Sequence, residues 1–106
     1  MPWQILFDNI NFAHSKITEK HPITATVDGV RVCIGKHQNQ FYAIEDTCPH
    51  QDASLGKGVK LPSGGVQCPF HHYVFDIRTG ECLIGGCRDL KTFKIEEKNG
   101  KVMIEI

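Results

Sequence analysis

Apolar and polar residues alternate along most of this chain, a pattern that is typical of short, half-buried β-strands. The segments ITATV and VRVCI flank Asp28-Gly29, and the segments TFKIEE and KVMIEI flank Lys98-Asn99-Gly100. An Asp-Gly or Asn-Gly pair between alternating segments is a strong signal for a tight β-hairpin. The segment FYAIED, which follows a turn within GKHQNQ, is a further predicted strand.

The alternation also predicts which side chains share a face of each strand, because successive side chains of a strand point to opposite faces. Val30, Val32 and Ile34 form one such face of the strand VRVCI. In the last hairpin, the predicted faces are Phe93 with Ile95, and Val102 with Ile104 and Ile106. The stretch from residue 9 to residue 21 shows no regular period and is predicted to be irregular.

Strands and turns without a helical stripe predict an all-β fold, namely an antiparallel β-sandwich or barrel. A chain of 106 residues has room for one domain with its own core, so residues 1–106 are predicted to form a single domain. Residues 46–87 differ from the rest, because they hold seven of the ten glycines and four of the five cysteines. We therefore expect a ligand-carrying segment, between about residues 46 and 87, inserted into the β framework.

Composition narrows the possible partners and the cellular compartment. Lys and Arg total 12 and Asp and Glu total 12, so the chain shows no charge excess that would favour nucleic acid or an anionic membrane as a partner. The first residues, MPWQILFDNI, show neither the basic start of a signal peptide nor a long apolar stretch, so a cytoplasmic location is expected. An odd number of cysteines, five, without a secretory signal favours metal binding over a disulfide framework.

Two short motifs inside the inserted segment each combine one cysteine with one histidine. Cys48 and His50 have the spacing C-x-H, Cys68 and His71 have the spacing C-x2-H, and 17 residues separate the two motifs. Thiolate and imidazole are ligands of soft and borderline metals, and such short spacing lets each loop present both ligands to one site. Two loops of this kind can serve two irons, with the cysteines on one iron and the histidines on the other.

The motifs CPH and CPFH, with this spacer and the surrounding β pattern, resemble the paired motifs of Rieske-type ferredoxins over nearly the whole chain. The resemblance implies that Cys48, His50, Cys68 and His71 bind one [2Fe–2S] cluster per chain, in a small all-β domain with an inserted cluster-binding subdomain. It also implies a soluble, monomeric one-electron carrier that accepts electrons from an NAD(P)H-dependent reductase and passes them to an oxygenase. By the same resemblance, the carrier is a component of an oxidoreductase system and not itself an enzyme.

Three other functions remain open at this point. The domain also resembles the small Rieske subunit of an assimilatory nitrite reductase, and an iron–sulfur redox sensor could use the same ligands. A structural Cys2His2 zinc site would use the same residue types, although zinc sites usually pair cysteine with cysteine and histidine with histidine in each segment. The absence of a Gly-rich dinucleotide motif argues against a flavin or nicotinamide site on this chain.

The remaining cysteines and histidines are expected to have no direct role in metal binding. Cys33 is predicted to pack in the core as a small apolar side chain, and Cys82 and Cys87 to be two unpaired, partly buried thiols. His72 is expected to be solvated or locally packed, and the histidines expected at the surface are His14, His21 and His37. The residues expected around the docking face for redox partners are Gln51, Asp52, Phe70 and His72, with Lys57, Lys60 and Arg88 as candidate charged contacts.

Overall fold

The computed structural model describes residues 3–47, 53–69, 73–85 and 87–106, which form three antiparallel sheets. The strands are β1 (Trp3–Phe7), β2 (Ile23–Val27), β3 (Val30–His37), β4 (Gln40–Glu45), β5 (Val59–Lys60), β6 (Gly65–Gln67), β7 (Val74–Asp76), β8 (Thr92–Phe93), β9 (Ile95–Lys98) and β10 (Lys101–Glu105). A short helix, α1, spans Ile10–Lys16, and one turn of 3-10 helix spans Leu55–Lys57. The strand order is β1-β10-β9 in the first sheet, β2-β3-β4-β8 in the second and β5-β6-β7 in the third. The prediction of an antiparallel all-β fold is therefore confirmed.

The predicted hairpins form, and each has a two-residue turn. Asp28 and Gly29 connect β2 to β3 with φ angles of +51° and +79°, and Asn99 and Gly100 connect β9 to β10 with φ angles of +53° and +76°. Two successive positive φ angles are characteristic of the type I′ turn, which these residue pairs favour because glycine, asparagine and aspartate tolerate that region. The third predicted turn, at residues 38–39, joins β3 to β4 with φ angles of +51° and +67°.

The predicted strand TFKIEE is divided between two sheets. Thr92 and Phe93, in β8, pair with β4 of the second sheet, whereas β9, which starts at Ile95, pairs with β10 of the first sheet. The chain therefore changes sheets at Lys94, and a continuous backbone joins the first and second sheets there. The apolar alternation continues through Lys94, so the sequence pattern does not reveal the change.

β3 is buried on both faces, and each face lines a separate hydrophobic core. Val32 and Ile34 lie in a core with residues of α1, β4 and β10. Cys33 lies in the other core together with Cys68, one of the predicted ligands. The predicted face is confirmed for Val32 and Ile34, but Val30 is exposed. The opposite face is buried at Cys33 and Gly35 rather than solvated. β3 therefore forms a wall shared by both cores, one of which contains the base of the candidate site.

The segment from residue 9 to residue 21, predicted to be irregular, contains α1. Asn9 caps the helix, since its side-chain oxygen accepts hydrogen bonds from the backbone N–H groups of Asn11 and Phe12, at 2.8 and 3.3 Å. Ala13 within the helix and Ile17 at its C-terminal end are fully buried. A helix of seven residues that buries so few side chains is too short for a helical period to be visible in the sequence. None of the helices in the described part of the chain is long and apolar enough to cross a bilayer.

His37 and Lys60 form a buried polar pair between β3 and β5. The Nζ atom of Lys60 lies 3.0 Å from Nδ1 of His37, donates to the backbone carbonyl of Leu61 at 3.1 Å and lies 3.7 Å from Oε1 of Glu19. The exposed fraction is 6% for His37 and 2% for Lys60. The expected surface position of His37 and the expected docking role of Lys60 are therefore wrong. The ammonium is buried because a ring nitrogen, a carbonyl and a carboxylate surround it.

Replacing Lys60 by glutamate is expected to destabilise the fold rather than to alter partner docking. The new carboxylate would be buried near Glu19 and would leave Nδ1 of His37 without its Lys60 partner, and a buried charged group without a partner typically costs about 3 kcal/mol. The measurement is the free energy of unfolding, from urea titration followed by circular dichroism. The matched control is Lys57→Glu, because Lys57 is exposed and surface substitutions usually change stability by less than about 0.5 kcal/mol. Equal stability of the two variants would contradict a buried role for Lys60.

Candidate metal centre

Cys68 is the one predicted ligand that lies within the described residues. The predicted residues outside the described ranges are the ligands Cys48, His50 and His71 and the docking residues Gln51, Asp52, Phe70 and His72. Within the described ranges, no group of three or more His, Cys, Asp or Glu side chains could hold a metal ion. The described residues on either side of each motif nevertheless show how the two predicted ligand loops begin and end.

The first ligand loop, residues 48–53, is closed at its base by backbone contacts. Thr47 and Ser54, the residues on either side of it, form an isolated antiparallel bridge. At the next residue on each side of this bridge, the backbone N–H of Leu55 donates to the carbonyl oxygen of Asp46 at 2.7 Å. The chain segments that enter and leave the first ligand loop therefore lie side by side at the end of β4.

Asp46, which is fully buried, fastens this base to β2 and β3. One carboxylate oxygen accepts hydrogen bonds from the hydroxyl of Thr24 at 2.9 Å and from the backbone N–H of Gly56 at 2.8 Å. The other accepts from the hydroxyl of Ser54 at 2.6 Å and from Nε of Arg31 at 3.2 Å. Since these donors replace the water that a carboxylate loses on burial, Asp46 can link the loop to the second sheet. The role of Asp46 was not predicted, because an aspartate that follows a strand usually lies in a solvated turn.

Cys68 stands at the base of the second ligand loop, residues 69–72. It follows β6 directly, and its backbone N–H donates to the carbonyl oxygen of Tyr73 at 2.9 Å, which closes this loop at its base as well. Cys68 is 2% exposed and lies in the same core as Cys33 and Phe75. Burial of this kind protects a sulfur atom from solvent and from oxidants. The position of Cys68 therefore suits a sulfur ligand at the inner side of a metal site.

Pairing of β5 with β6 brings the two ligand loops to one end of the third sheet. The strands are antiparallel, and Val59 at the start of β5 pairs with Gln67 at the end of β6. The chain that leaves the first ligand loop therefore lies beside the chain that enters the second. The approach is close at Gly58, where an added Cβ atom would collide with the carbonyl oxygen of Gln67. A surface cavity at this junction is lined by Lys57, Gly58, Val59, Gln67, Cys68 and Pro69.

Residues 81–83 extend the third sheet on the other side of β7. The backbone N–H of Leu83 donates to the carbonyl oxygen of Val74 at 2.8 Å, and Phe75 and Cys82 form an antiparallel bridge. Because β7 leads away from the second ligand loop, residues 81–83 run back toward the base of that loop.

Cys82 and Cys87 are joined by a disulfide, and their Cα atoms lie 5.9 Å apart. The expectation of two unpaired thiols is therefore wrong. That expectation follows from the cellular compartment alone. In the fold, Cys82 lies beside β7, and Cys87 lies close enough to bond with it. Both cysteines are partly buried and pack against the core that contains Cys68.

Arg88, the residue after the disulfide, makes a two-point contact with Glu45 at the end of β4. Its Nη1 and Nη2 atoms donate to Oε1 and Oε2 of Glu45 at 3.0 and 3.1 Å, and the backbone N–H of Lys91 donates to Oε1 at 2.6 Å. The hydrogen-bonded guanidinium holds the pKa of the Glu45 carboxyl below its usual value, although partial burial acts in the opposite direction. Arg88 thus ties the disulfide to the strand that leads into the first ligand loop.

Cys33 is confirmed as a core residue. It is fully buried, and burial, together with the negative charge of Asp46, raises the pKa of its thiol far above the ordinary value. A metal ligand must be a thiolate, so the protonated thiol of Cys33 is suited to packing and not to coordination.

The described geometry fits a cluster held between the two loops. Both loop bases are closed, the chain leaving the first loop lies beside the chain entering the second at one end of the third sheet, and Cys68 places a buried sulfur atom there. Sulfur and imidazole donors from two such loops are the ligand set of a [2Fe–2S] cluster with cysteine on one iron and histidine on the other.

Comparison with known proteins agrees with this fit. The family model of the Rieske [2Fe-2S] domain matches residues 9–94. The ferredoxin component of the naphthalene 1,2-dioxygenase system of Pseudomonas putida is 30% identical over 95 residues, which cover 89% of this chain and 90% of that protein.

Solved structures share the same fold. A complex of reduced oxygenase and oxidized ferredoxin in carbazole 1,9a-dioxygenase contains a chain that superposes with a TM-score of 0.79 at 30% identity, covering 96% of this chain and 91% of that chain. A candidate NADH-dependent nitrite reductase small subunit from Mycobacterium tuberculosis superposes with a TM-score of 0.82 at 15% identity, covering 97% and 93%. At so low an identity, this second likeness shows the fold alone. The family match extends from the cap of α1 through both ligand loops to the point where the chain changes sheets, so this chain belongs to the Rieske [2Fe-2S] domain family.

Proposed function

We propose that Cys48, His50, Cys68 and His71 bind one [2Fe–2S] cluster, with the cysteines on one iron and the histidines on the other. The bound cluster supplies one-electron oxidation and reduction. The observation that carries this proposal is the pairing of β5 with β6, which brings two closed loops with matching Cys/His motifs to one end of the third sheet.

The chain is an electron-transfer protein and not itself an enzyme, in keeping with relatives that are ferredoxin components. Its proposed acceptor is an oxygenase and its proposed donor an NAD(P)H-dependent reductase, with the chain acting as a monomer. The dioxygenase system of the Pseudomonas putida relative and the solved complex of an oxygenase with a ferredoxin support the choice of acceptor. The nitrite reductase alternative has only a shared fold in its favour.

The surface around Lys57 is the proposed docking site for these partners. Lys57, Val59 and Pro69 are exposed, and they line the same cavity as the buried Cys68. A partner that covers this cavity comes within a short distance of the cluster ligands without replacing any of them. Redox partners usually form small, transient interfaces of less than about 1,200 Å² in total.

Replacing Cys68, the proposed ligand within the described residues, is expected to remove the cluster. Wild-type protein should contain about two irons and two acid-labile sulfides per chain and give a rhombic EPR signal after reduction. Cys68→Ala should lack iron and colour, because one iron loses a sulfur ligand. Cys33→Ala is the matched control, since it removes a cysteine from the same core and should keep the full iron content. A colourless wild-type protein with one zinc, after anaerobic expression, would instead support a structural zinc site.

Asp46→Asn is expected to weaken the first ligand loop without removing a ligand. The amide keeps the size of the carboxylate but loses its charge and turns an NH2 group toward the donors of one oxygen, such as Gly56 on Oδ1 or Ser54 on Oδ2, which typically costs about 2 kcal/mol. The free energy of unfolding should fall accordingly, and a chelator should remove iron faster, as followed by the loss of visible absorbance.

The matched control for Asp46 is Asp28→Asn. Asp28 is exposed in a hairpin turn and has a positive φ angle, which asparagine tolerates, so stability and iron loss should stay at the wild-type level. Wild-type rates of iron loss in both variants would show that Asp46 does not position the loop.

Lys57→Glu is expected to slow electron transfer with protein partners while the reduction potential of the cluster changes little. Reversing an exposed charge alters the encounter between two proteins more than it alters a site that the residue does not ligate. The measurements are the rate of reduction by a purified reductase and the potential from spectroelectrochemistry. Lys98→Glu is the matched control, because Lys98 is exposed on the first sheet, which carries neither ligand loop. Equal rates in both variants would place the docking site elsewhere.

A further inference from the structure

The electron-carrier function proposed above assigns no chemical role to the Cys82–Cys87 disulfide. We propose that it is a second redox site of this chain: an external dithiol reduces it reversibly, and its reduction loosens the hold on the two ligand loops. The part of this inference that concerns the loops rests on the proposed function, whereas the chemistry of the disulfide does not.

A dithiol can reach this disulfide from solvent. Cys82 and Cys87 are only partly buried, and the residues that follow Cys82 are exposed, with exposed fractions of 45% for Leu83 and 50% for Ile84. Gly85 is also exposed. Partial exposure is the condition under which a disulfide exchanges with a thiol, in contrast to the fully buried environment of Cys33.

The two sulfurs stay close to each other after reduction, because the chain beside Cys82 and the chain beside Cys87 are each attached to the fold by hydrogen bonds. On the side of Cys82, the N–H of Leu83 is bonded to Val74, and the N–H of Cys82 donates to Oδ1 of Asp89 at 3.0 Å. On the side of Cys87, the next residue, Arg88, is bonded at two points to Glu45 (a contact described above). In the reverse direction, one of the two thiolates attacks the disulfide of the oxidised reagent, and the other, held nearby, closes the Cys82–Cys87 disulfide in an intramolecular step and releases the reduced reagent, so the couple is reversible.

The disulfide also shortens the covalent connection between two attachments that lie near the bases of the two ligand loops. Cys82 lies beside β7, which follows the second ligand loop, and Cys87 precedes Arg88, which holds the end of β4 before the first ligand loop. Both cysteines pack against the core that contains Cys68. Opening the disulfide leaves these positions joined only through the main chain of residues 83–86, hydrogen bonds and packing, so the loop bases can separate more often and iron is released faster.

The exchange is a balanced two-electron reaction. A thiolate of the dithiol attacks one sulfur of the disulfide, forms a mixed disulfide with it and releases the other sulfur as a thiolate. The second thiol of the reagent then displaces the bound sulfur and closes the reagent's own disulfide. Overall, Cys82 and Cys87 gain two electrons and two protons, and the dithiol loses them. The cluster carries one electron at a time and is not the reductant in this reaction.

The test uses cluster-loaded protein with dithiothreitol as the dithiol. The protein is equilibrated at a series of ratios of reduced to oxidised dithiothreitol, and thiols are then trapped with iodoacetamide. Mass spectrometry measures the alkylation of Cys82 and Cys87. We expect Cys82 and Cys87 to be alkylated together. Both should be protected from alkylation again after the protein is returned to oxidised dithiothreitol, and the circular dichroism spectrum should stay unchanged. In parallel, iron loss to a chelator should be several-fold faster in the reduced protein.

The matched control is the double variant Cys82→Ala with Cys87→Ala. It should lose iron at the rate of the reduced wild type and show no response to dithiothreitol. Failure to alkylate the two cysteines while the protein stays folded would overturn the redox site, and alkylation with unchanged iron loss would overturn its effect on the loops. A response of the double variant to dithiothreitol would show that the reagent acts on the cluster. If the wild type binds no cluster, the proposed function fails, and the alkylation result still decides whether the disulfide is a redox site.

Discussion

The buried carboxylate of Asp46 is the contact on which the arrangement of the candidate site depends. It accepts hydrogen bonds from two strands of the second sheet and from Ser54 and Gly56, in the chain that returns from the first ligand loop. A carboxylate is stable away from water only when its oxygens are satisfied, so the donors and the acceptor hold one another in place. The first ligand loop is thereby fastened to a β framework rather than to another loop.

The candidate site shares residues with one of the two hydrophobic cores. Cys68 lies in the same core as Cys33 of β3, and the Cys82–Cys87 disulfide packs against that core. The close approach at Gly58 allows the chain leaving the first ligand loop to lie directly against the strand that enters the second. If Cys68 binds the cluster as proposed, cofactor binding is linked to folding, because the loss of either one weakens the other.

The sequence carries the information that is local along the chain. Type I′ turns at Asp28-Gly29 and Asn99-Gly100 require only that two neighbouring residues tolerate positive φ angles, and both turns form as predicted. The two Cys/His motifs are recognisable because a loop presents ligands that are close in sequence. The helix α1 was not recognisable, since seven residues with one fully buried side chain, Ala13, leave too weak a pattern.

By itself, the sequence determined the antiparallel strands, their hairpins, the chemical class of the site and the family to which the chain belongs. Only the tertiary structure decided that Asp46, Lys60 and His37 are buried and that Cys82 and Cys87 are bonded. The tertiary structure also decided that the chain leaving the first ligand loop lies beside the chain entering the second at one end of the third sheet. The physical reason is that burial and pairing depend on partners distant in sequence: Asp46 is bonded to Thr24 and Arg31, and Lys60 to His37. A polar residue looks the same in a sequence whether water or the protein satisfies it.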